Sequence, residues 1–334
     1  MFLPVPRFVT RILEWQFFWG NSDSNEYEPF AIRFYRKRLK PLLGRSARNA
    51  VYTAFEKVLF LRISPFVTRI VGPQFTRSRD LVEIDITYLC NLNCFNCNRS
   101  CEQQPTNDHM SLEQIHHFLE ESRARGMKWK RIRVVGGEPT THPKFLEVLD
   151  MLLDYRARYW PKLRIELVTN GHGSYVNKMI AKIPAGIVVN NTAKQSKVQE
   201  TFQTFNVAPI DEREYDGVEF VNACPITTHC GMGVTPYGYY PCTVAGAIDR
   251  TFGLNMGRKV LPDSNDGMQN ELRKFCSLCG HFKRQRTPPV DGPIQSPVWR
   301  VAYERSRKEP PQLSRLPENG MSLSRANGAN TVVS

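Results

Sequence analysis

From residue 81 onward, short β-branched runs alternate with longer stretches of helical period. "LVEIDITYL" (81–89) is rich in Val and Ile and reads as a strand. "SLEQIHHFLEESRARG" (111–126) reads as a helix, with Ser111 and Gln114 placed as a capping box and Gly126 as its stop. "RIRVVGGEP" (131–139) has the pattern of a buried strand ending in glycines, and "PKFLEVLDMLLDYRARYW" (143–160) that of an amphipathic helix. A third strand, "LRIELVTNG" (163–171), a helix near 174–183 and a fourth strand, "GIVVNN" (186–191), follow. This β-α-β-α-β-α-β order with short connections predicts a parallel sheet whose strand ends build an active site.

The flanks have other textures. Residues 1–80 divide into helical segments separated by Pro and Gly, and within 5–19 Val5, Phe8, Val9, Ile12, Trp15 and Trp19 recur at roughly helical spacing. Such a stripe either docks on its own domain or lies in a membrane interface. Past about 220 the regularity breaks down. The chain therefore divides into a helical extension (1–80), an α/β region (81–220), a cysteine-rich module (221–283) and a tail (284–334). The tail is rich in Pro, Ser, Arg and Asn, and reads as a wrapping extension or as disordered.

Composition narrows the class. No run of about 18 apolar residues appears, so no spanning helix is expected. Pro4, Pro6, Arg7, Arg11 and Glu14 interrupt the N-terminus where a signal peptide needs a continuous apolar core, which points to the cytoplasm. Nine cysteines in that reducing compartment favour metal or redox chemistry over a disulfide framework. The net charge of +13 is uneven: residues 1–80 hold 14 Lys/Arg against 6 Asp/Glu, densest in "RFYRKRLK" (33–40). That surplus is either a solvated face or an attraction for nucleic acid, anionic lipid or an acidic substrate. No nucleic-acid module signature accompanies it.

The chemistry is concentrated in "CNLNCFNCNRSC" (90–101), which places Cys90, Cys94, Cys97 and Cys101 in one loop directly after the first strand. That is the end of a parallel sheet where α/β folds bind ligands. Thiolates so spaced suit zinc or iron–sulfur, and a closed structural zinc site would take all four. The next strand ends in Gly136-Gly137-Glu138-Pro139 and the third in Val168-Thr169-Asn170-Gly171.

Together, C-x3-C-x2-C after the first strand and GGEP after the second resemble the radical S-adenosylmethionine (radical SAM) superfamily, over roughly residues 81–220. The resemblance implies an α/β fold built on a partial (β/α)6 barrel. It implies that Cys90, Cys94 and Cys97 hold a [4Fe-4S] cluster whose remaining iron takes the amino and carboxylate groups of S-adenosylmethionine. One electron from the cluster then splits the sulfonium C–S bond, giving methionine and a 5′-deoxyadenosyl radical that abstracts hydrogen from substrate. On this reading Cys101 stays off the cluster. Gly136, Gly137 and Glu138 receive the methionine ammonium, and Thr169 and Asn170 contact the same ligand. Asn190 and Asn191 lie where the family places ribose contacts, or simply form a turn. One departure stands out: the family commonly has an aromatic residue directly before the third cysteine, whereas here that position is Asn96, with Phe95 one place earlier.

Five further cysteines follow as Cys224-x5-Cys230-x11-Cys242 and Cys276-x2-Cys279. With "GYYPC" leading into Cys242, they resemble the auxiliary-cluster extensions called SPASM or twitch domains. Five thiols suffice for one four-ligand auxiliary [4Fe-4S] cluster with one to spare; Cys242, Cys276 and Cys279 are common to the readings, and either Cys224 or Cys230 completes the set. A structural zinc is the alternative occupant. The spare thiol is structural or returns a hydrogen atom to a substrate radical.

The resemblance thus implies an oxidoreductase or maturase acting on a small-molecule, lipid or peptide substrate by dehydrogenation, epimerisation or peptide modification. Its electron donor would be a flavodoxin or ferredoxin. The competing reading is a non-catalytic, zinc-stapled protein that holds nucleic acid or anionic lipid through its basic N-terminal region.

Overall fold

Along strand β1 (Leu81–Thr87) the side chains divide by the two-residue period of an extended chain. Val82, Ile84 and Ile86 enter the main apolar core, while Glu83, Asp85 and Thr87, equally buried, face the opposite side. In this computed structural model, residues 63–73, 75–198, 205–283 and 292–318 are described, with a few isolated positions between 38 and 61. The stripe over 5–19 and all but one residue of the basic run 33–40 lie outside the described residues.

Helix α1 (Pro65–Val71) precedes β1. Then follow α2 (Leu112–Ala124), β2 (Arg131–Gly136), α3 (Phe145–Tyr159), β3 (Arg164–Thr169), α4 (Ser174–Ile180) and β4 (Val188–Asn191). The capping box of α2 is formed: Ser111 Oγ accepts from Gln114 N, and Gln114 Oε1 accepts from Ser111 N, both at 3.1 Å. Ile115, Phe118 and Leu119 of α2 and Val148, Leu149 and Leu152 of α3 bury the apolar face of the sheet.

Beyond α5 (Pro225–His229) come β5 (Met232–Thr235), β6 (Gly238–Tyr240), α6 (Thr243–Phe252) and α7 (Gln269–Leu278). The expected α/β fold is present, and its sheet has six strands in the order β4-β3-β2-β1-β5-β6. Its first five strands are parallel, with β5 beside β1, and β6 runs antiparallel to β5. The reversal has a local cause, because only Pro236 and Tyr237 separate β5 from β6 and two residues suffice for a hairpin but not for a crossover.

The segment after the cysteine-rich region is ordered over 292–318. It forms α8 (Pro297–Lys308), with Pro297 in its first turn. Trp299 and Tyr303 are fully buried in a second core with Phe205, Tyr240, Ile248 and Phe275, and Leu316 reaches the main core. Among the described residues no helix is long and apolar enough to cross a membrane.

Candidate active site and metal centres

The loop after β1 is anchored by the ends of its neighbours. Gly137 N donates to Thr87 O at 2.8 Å and Glu138 N to Leu89 O at 2.9 Å, so the end of β2 brackets the root of the cysteine loop. A Cβ on Gly136 would lie closer than 3.0 Å to Thr87 O, and one on Gly137 equally close to Leu89 O. The clearance of these glycines is thus used by the protein's own backbone. Glu138 is fully buried and its carboxylate is occupied. Oε1 accepts from Thr140 Oγ1 and Thr169 Oγ1, both at 2.8 Å, and Oε2 from Asn170 N at 2.8 Å. Glu138 therefore ties β2 to β3. Asn170 Nδ2 donates to Asn91 Oδ1 at 2.8 Å, which brings the third strand end to the cysteine loop. Asn191 Oδ1 accepts from Ala193 N at 2.8 Å in a turn, while Asn190, opposite Val168 on β4, is exposed and joins none of these bonds.

Within the loop, Cys94 and Cys101 are buried and Cys90 and Cys97 half-buried. The Cys101 thiol donates to Cys97, whose sulfur also accepts from the backbone N–H groups of Cys101 and Arg99. These bonds draw the Cys97 thiol down to about 6, while the same bond together with burial drives Cys101 well above the usual range. Burial pushes Cys90 up to about 12 against one opposing backbone N–H, that of Leu92 at 3.5 Å.

Asn96, where the family has an aromatic, is buried and accepts from Ile294 N at 3.2 Å. Ser100, at φ 53°, bonds Tyr303 Oη at 2.8 Å. The loop is thereby sealed by the C-terminal segment.

Cys224 precedes α5, Cys242 precedes α6, and Cys276 and Cys279 lie at the end of α7. All four line one small cavity, whose walls include Ile226, Val244, Leu272 and Phe275. Burial holds the Cys242, Cys276 and Cys279 thiols well above their usual range, with Cys224 contributing to each. The sequence left Cys224 and Cys230 as equals; the fold places Cys224 in the cavity wall with the other three, and Cys230 outside that wall but near enough to act on Cys242. Arg131 Nη2 donates to Cys230 O at 2.8 Å, and the Cys230 thiol is pushed up to about 12 by burial, then by the charge of Glu83. Among the described residues no three His, Cys, Asp or Glu side chains converge to hold a single metal ion. The three thiols at 90, 94 and 97 lie in one loop, and as thiolates they are the donor type of a [4Fe-4S] cluster.

The inner face of the sheet that sequence patterns did not reveal is an acid–arginine lattice. Glu83 accepts from Arg133 Nη1 at 2.9 Å, Arg99 Nη2 at 3.2 Å and Thr243 Oγ1 at 3.0 Å. Asp85 pairs with Arg99 Nε at 3.4 Å, and Glu166 with Arg133 Nε at 2.8 Å. The alternation of charge with Val and Ile in "LVEIDIT" and "RIRVV" was the available signal.

The family model described as "Radical SAM superfamily" matches residues 84–184. The GTP 3′,8-cyclase of Aliarcobacter butzleri is 26% identical over 148 residues, 43% of this chain and 43% of the relative. That of Nautilia profundicola is 32% identical over 101 residues, 30% of each. The chain thus spans less than half the length of these curated relatives. Among solved structures, BtrN in complex with AdoMet and 2-DOIA aligns with 61% of this chain and 86% of its own, at 13% identity and a TM-score of 0.33. The family match spans β1 to α4, taking in the cysteine loop and the GGEP turn already described, and this region of the chain belongs to the radical SAM superfamily.

Proposed function

We propose that the chain is a radical SAM enzyme that binds a [4Fe-4S] cluster through Cys90, Cys94 and Cys97, and a second through Cys224, Cys242, Cys276 and Cys279. When bound, the first cluster with S-adenosylmethionine supplies one-electron cleavage of the sulfonium C–S bond and a carbon radical that abstracts hydrogen from substrate. The observation that carries this reading is the division of labour in the loop. Cys90, Cys94 and Cys97 follow the C-terminal end of a parallel strand with the spacing C-x3-C-x2-C, while Cys101 falls outside that spacing and is buried. A fourth thiolate on the cluster would remove the open iron that the chemistry needs.

The chain's own residues position and shield. Glu138, Thr169, Asn170 and Asn91 lock three strand ends around the loop, so that any ligand there meets a fixed surface. The charged inner face suits a polar substrate better than an aliphatic one. The four-thiol cavity, walled by apolar side chains, suits a fully ligated cluster that accepts an electron from a substrate radical, which favours dehydrogenation. Cys230 stands outside that set, beside Glu83 and Arg131. The cyclase relatives act on GTP by name, and a nucleotide is a second candidate for the same charged face.

The test is anaerobic reconstitution, iron and sulfide quantification with electron paramagnetic resonance, then incubation with S-adenosylmethionine and dithionite. Two clusters per chain and release of 5′-deoxyadenosine are expected. A fully loaded protein that releases no nucleoside would overturn the proposal.

A further inference from the structure

Arg99 occupies a place that neither thiol group explains alone. It is the second residue after Cys97, and its backbone N–H donates to the Cys97 sulfur. Its guanidinium is directed inward. Nη2 donates to Thr243 Oγ1 at 2.6 Å and to Glu83 Oε2 at 3.2 Å, and Nε faces Asp85 Oδ1 at 3.4 Å. Thr243 follows Cys242 directly and is the first residue of α6. One side chain therefore spans from the first thiol site to the helix whose start carries a ligand of the second. Its own carbonyl is fixed by Arg250 Nη2 at 2.9 Å, so the residue is clamped at both ends.

Burying a guanidinium is costly unless it is paired, and two carboxylates supply the pairing. Glu83 is shared with Arg133 and Thr243, whereas Asp85, among the described residues, pairs with Arg99 alone, so the Arg99 guanidinium is the cation that balances Asp85 beside the cysteine loop, and its removal leaves that carboxylate uncompensated. A centre held by thiolates gains negative charge on reduction. A fixed buried cation beside it favours the reduced state, and a hydrogen bond to a ligand sulfur acts in the same direction.

We infer that Arg99 is a positioning residue that links the two thiol sites and raises the reduction potential of the first. This rests on the two-cluster reading above. The test uses the full chain, anaerobically reconstituted, as wild type, R99Q, R99K and T243V, with iron and sulfide counted in each and both centres titrated by electron paramagnetic resonance. R99Q is expected to retain both centres and shift the first midpoint to more negative potential. R99K should recover most of that shift, and T243V, which frees one end of the guanidinium, should show a smaller shift of the same sign. A loaded R99Q with the wild-type midpoint, or an R99K midpoint as negative as that of R99Q, overturns the inference. If R99Q does not load, T243V decides, and a wild-type midpoint there counts against it. A wild type without both centres overturns the parent reading and this one with it, which the iron count distinguishes.

Discussion

A methyl group on Gly137 would collide with backbone, not with a side chain that can swing away. Gly137→Ala is therefore expected to cost about 1–3 kcal/mol in denaturant unfolding, the usual range for overpacking, and to raise the labelling rate of the buried Cys94 thiol. Cys94→Ala should abolish 5′-deoxyadenosine formation, while Cys101→Ala should leave cleavage largely intact; equal losses in two folded variants would refute the three-ligand assignment. Asp85 gives a prediction in pH. Burial raises its carboxyl to about 6, so the folded state holds the proton more tightly than the unfolded chain does. The stability this provides is present in full below about pH 4 and is lost as pH rises through about 6. The stability difference between wild type and Asp85→Asn should change across that window, and a flat difference would count against it. At this scale the cysteine loop was legible because its ligands are neighbours in sequence. The choice between Cys224 and Cys230 was not, since it depends on where α5 lies against α6 and α7.

The elements from 81 to 191 were legible because each has one buried face, and the period of that face is written in the residues. Observed bounds lie within about two or three residues of the expected ones. Past residue 220 the signal fades for a physical reason. All four residues of β5 are buried, and nine consecutive positions of α6, Thr243 to Thr251, are buried as well, so neither shows a polar alternation. Helix α8 begins with Pro297 in its first turn, inside a stretch whose Pro- and Ser-rich composition reads as a tail. Contact between these elements depends on Gly233, where a Cβ would lie 2.6 Å from Cys242 C and Thr243 N. Gly233→Ala should push α6 off the sheet, costing about 1–3 kcal/mol and lowering the iron bound by the second site more than by the first. Unchanged iron at both sites would show that α6 has freedom to shift.

On the scale of the whole molecule, two thiol groups more than a hundred residues apart in sequence are linked through the Arg99–Thr243 hydrogen bond, and α8 packs over the elements that carry them. Trp299 is fully buried against Phe205 and Phe252, with ring centroids 4.9 Å away in each case, and its Nε1 donates to Leu278 O at 2.6 Å. Trp299→Ala is expected to cost about 3–5 kcal/mol and lower the thermal midpoint accordingly. A wild-type midpoint in that variant would mean that the segment adds nothing to the fold.

The bond between Asn96 and Ile294 spans 198 residues. During translation, at about 5–20 residues per second, the cysteine loop leaves the ribosome roughly 10–40 s before the segment that closes over it. Delivery of iron and sulfide to the nascent chain therefore meets open thiols, whereas delivery to the finished protein must first dislodge the segment around Ile294.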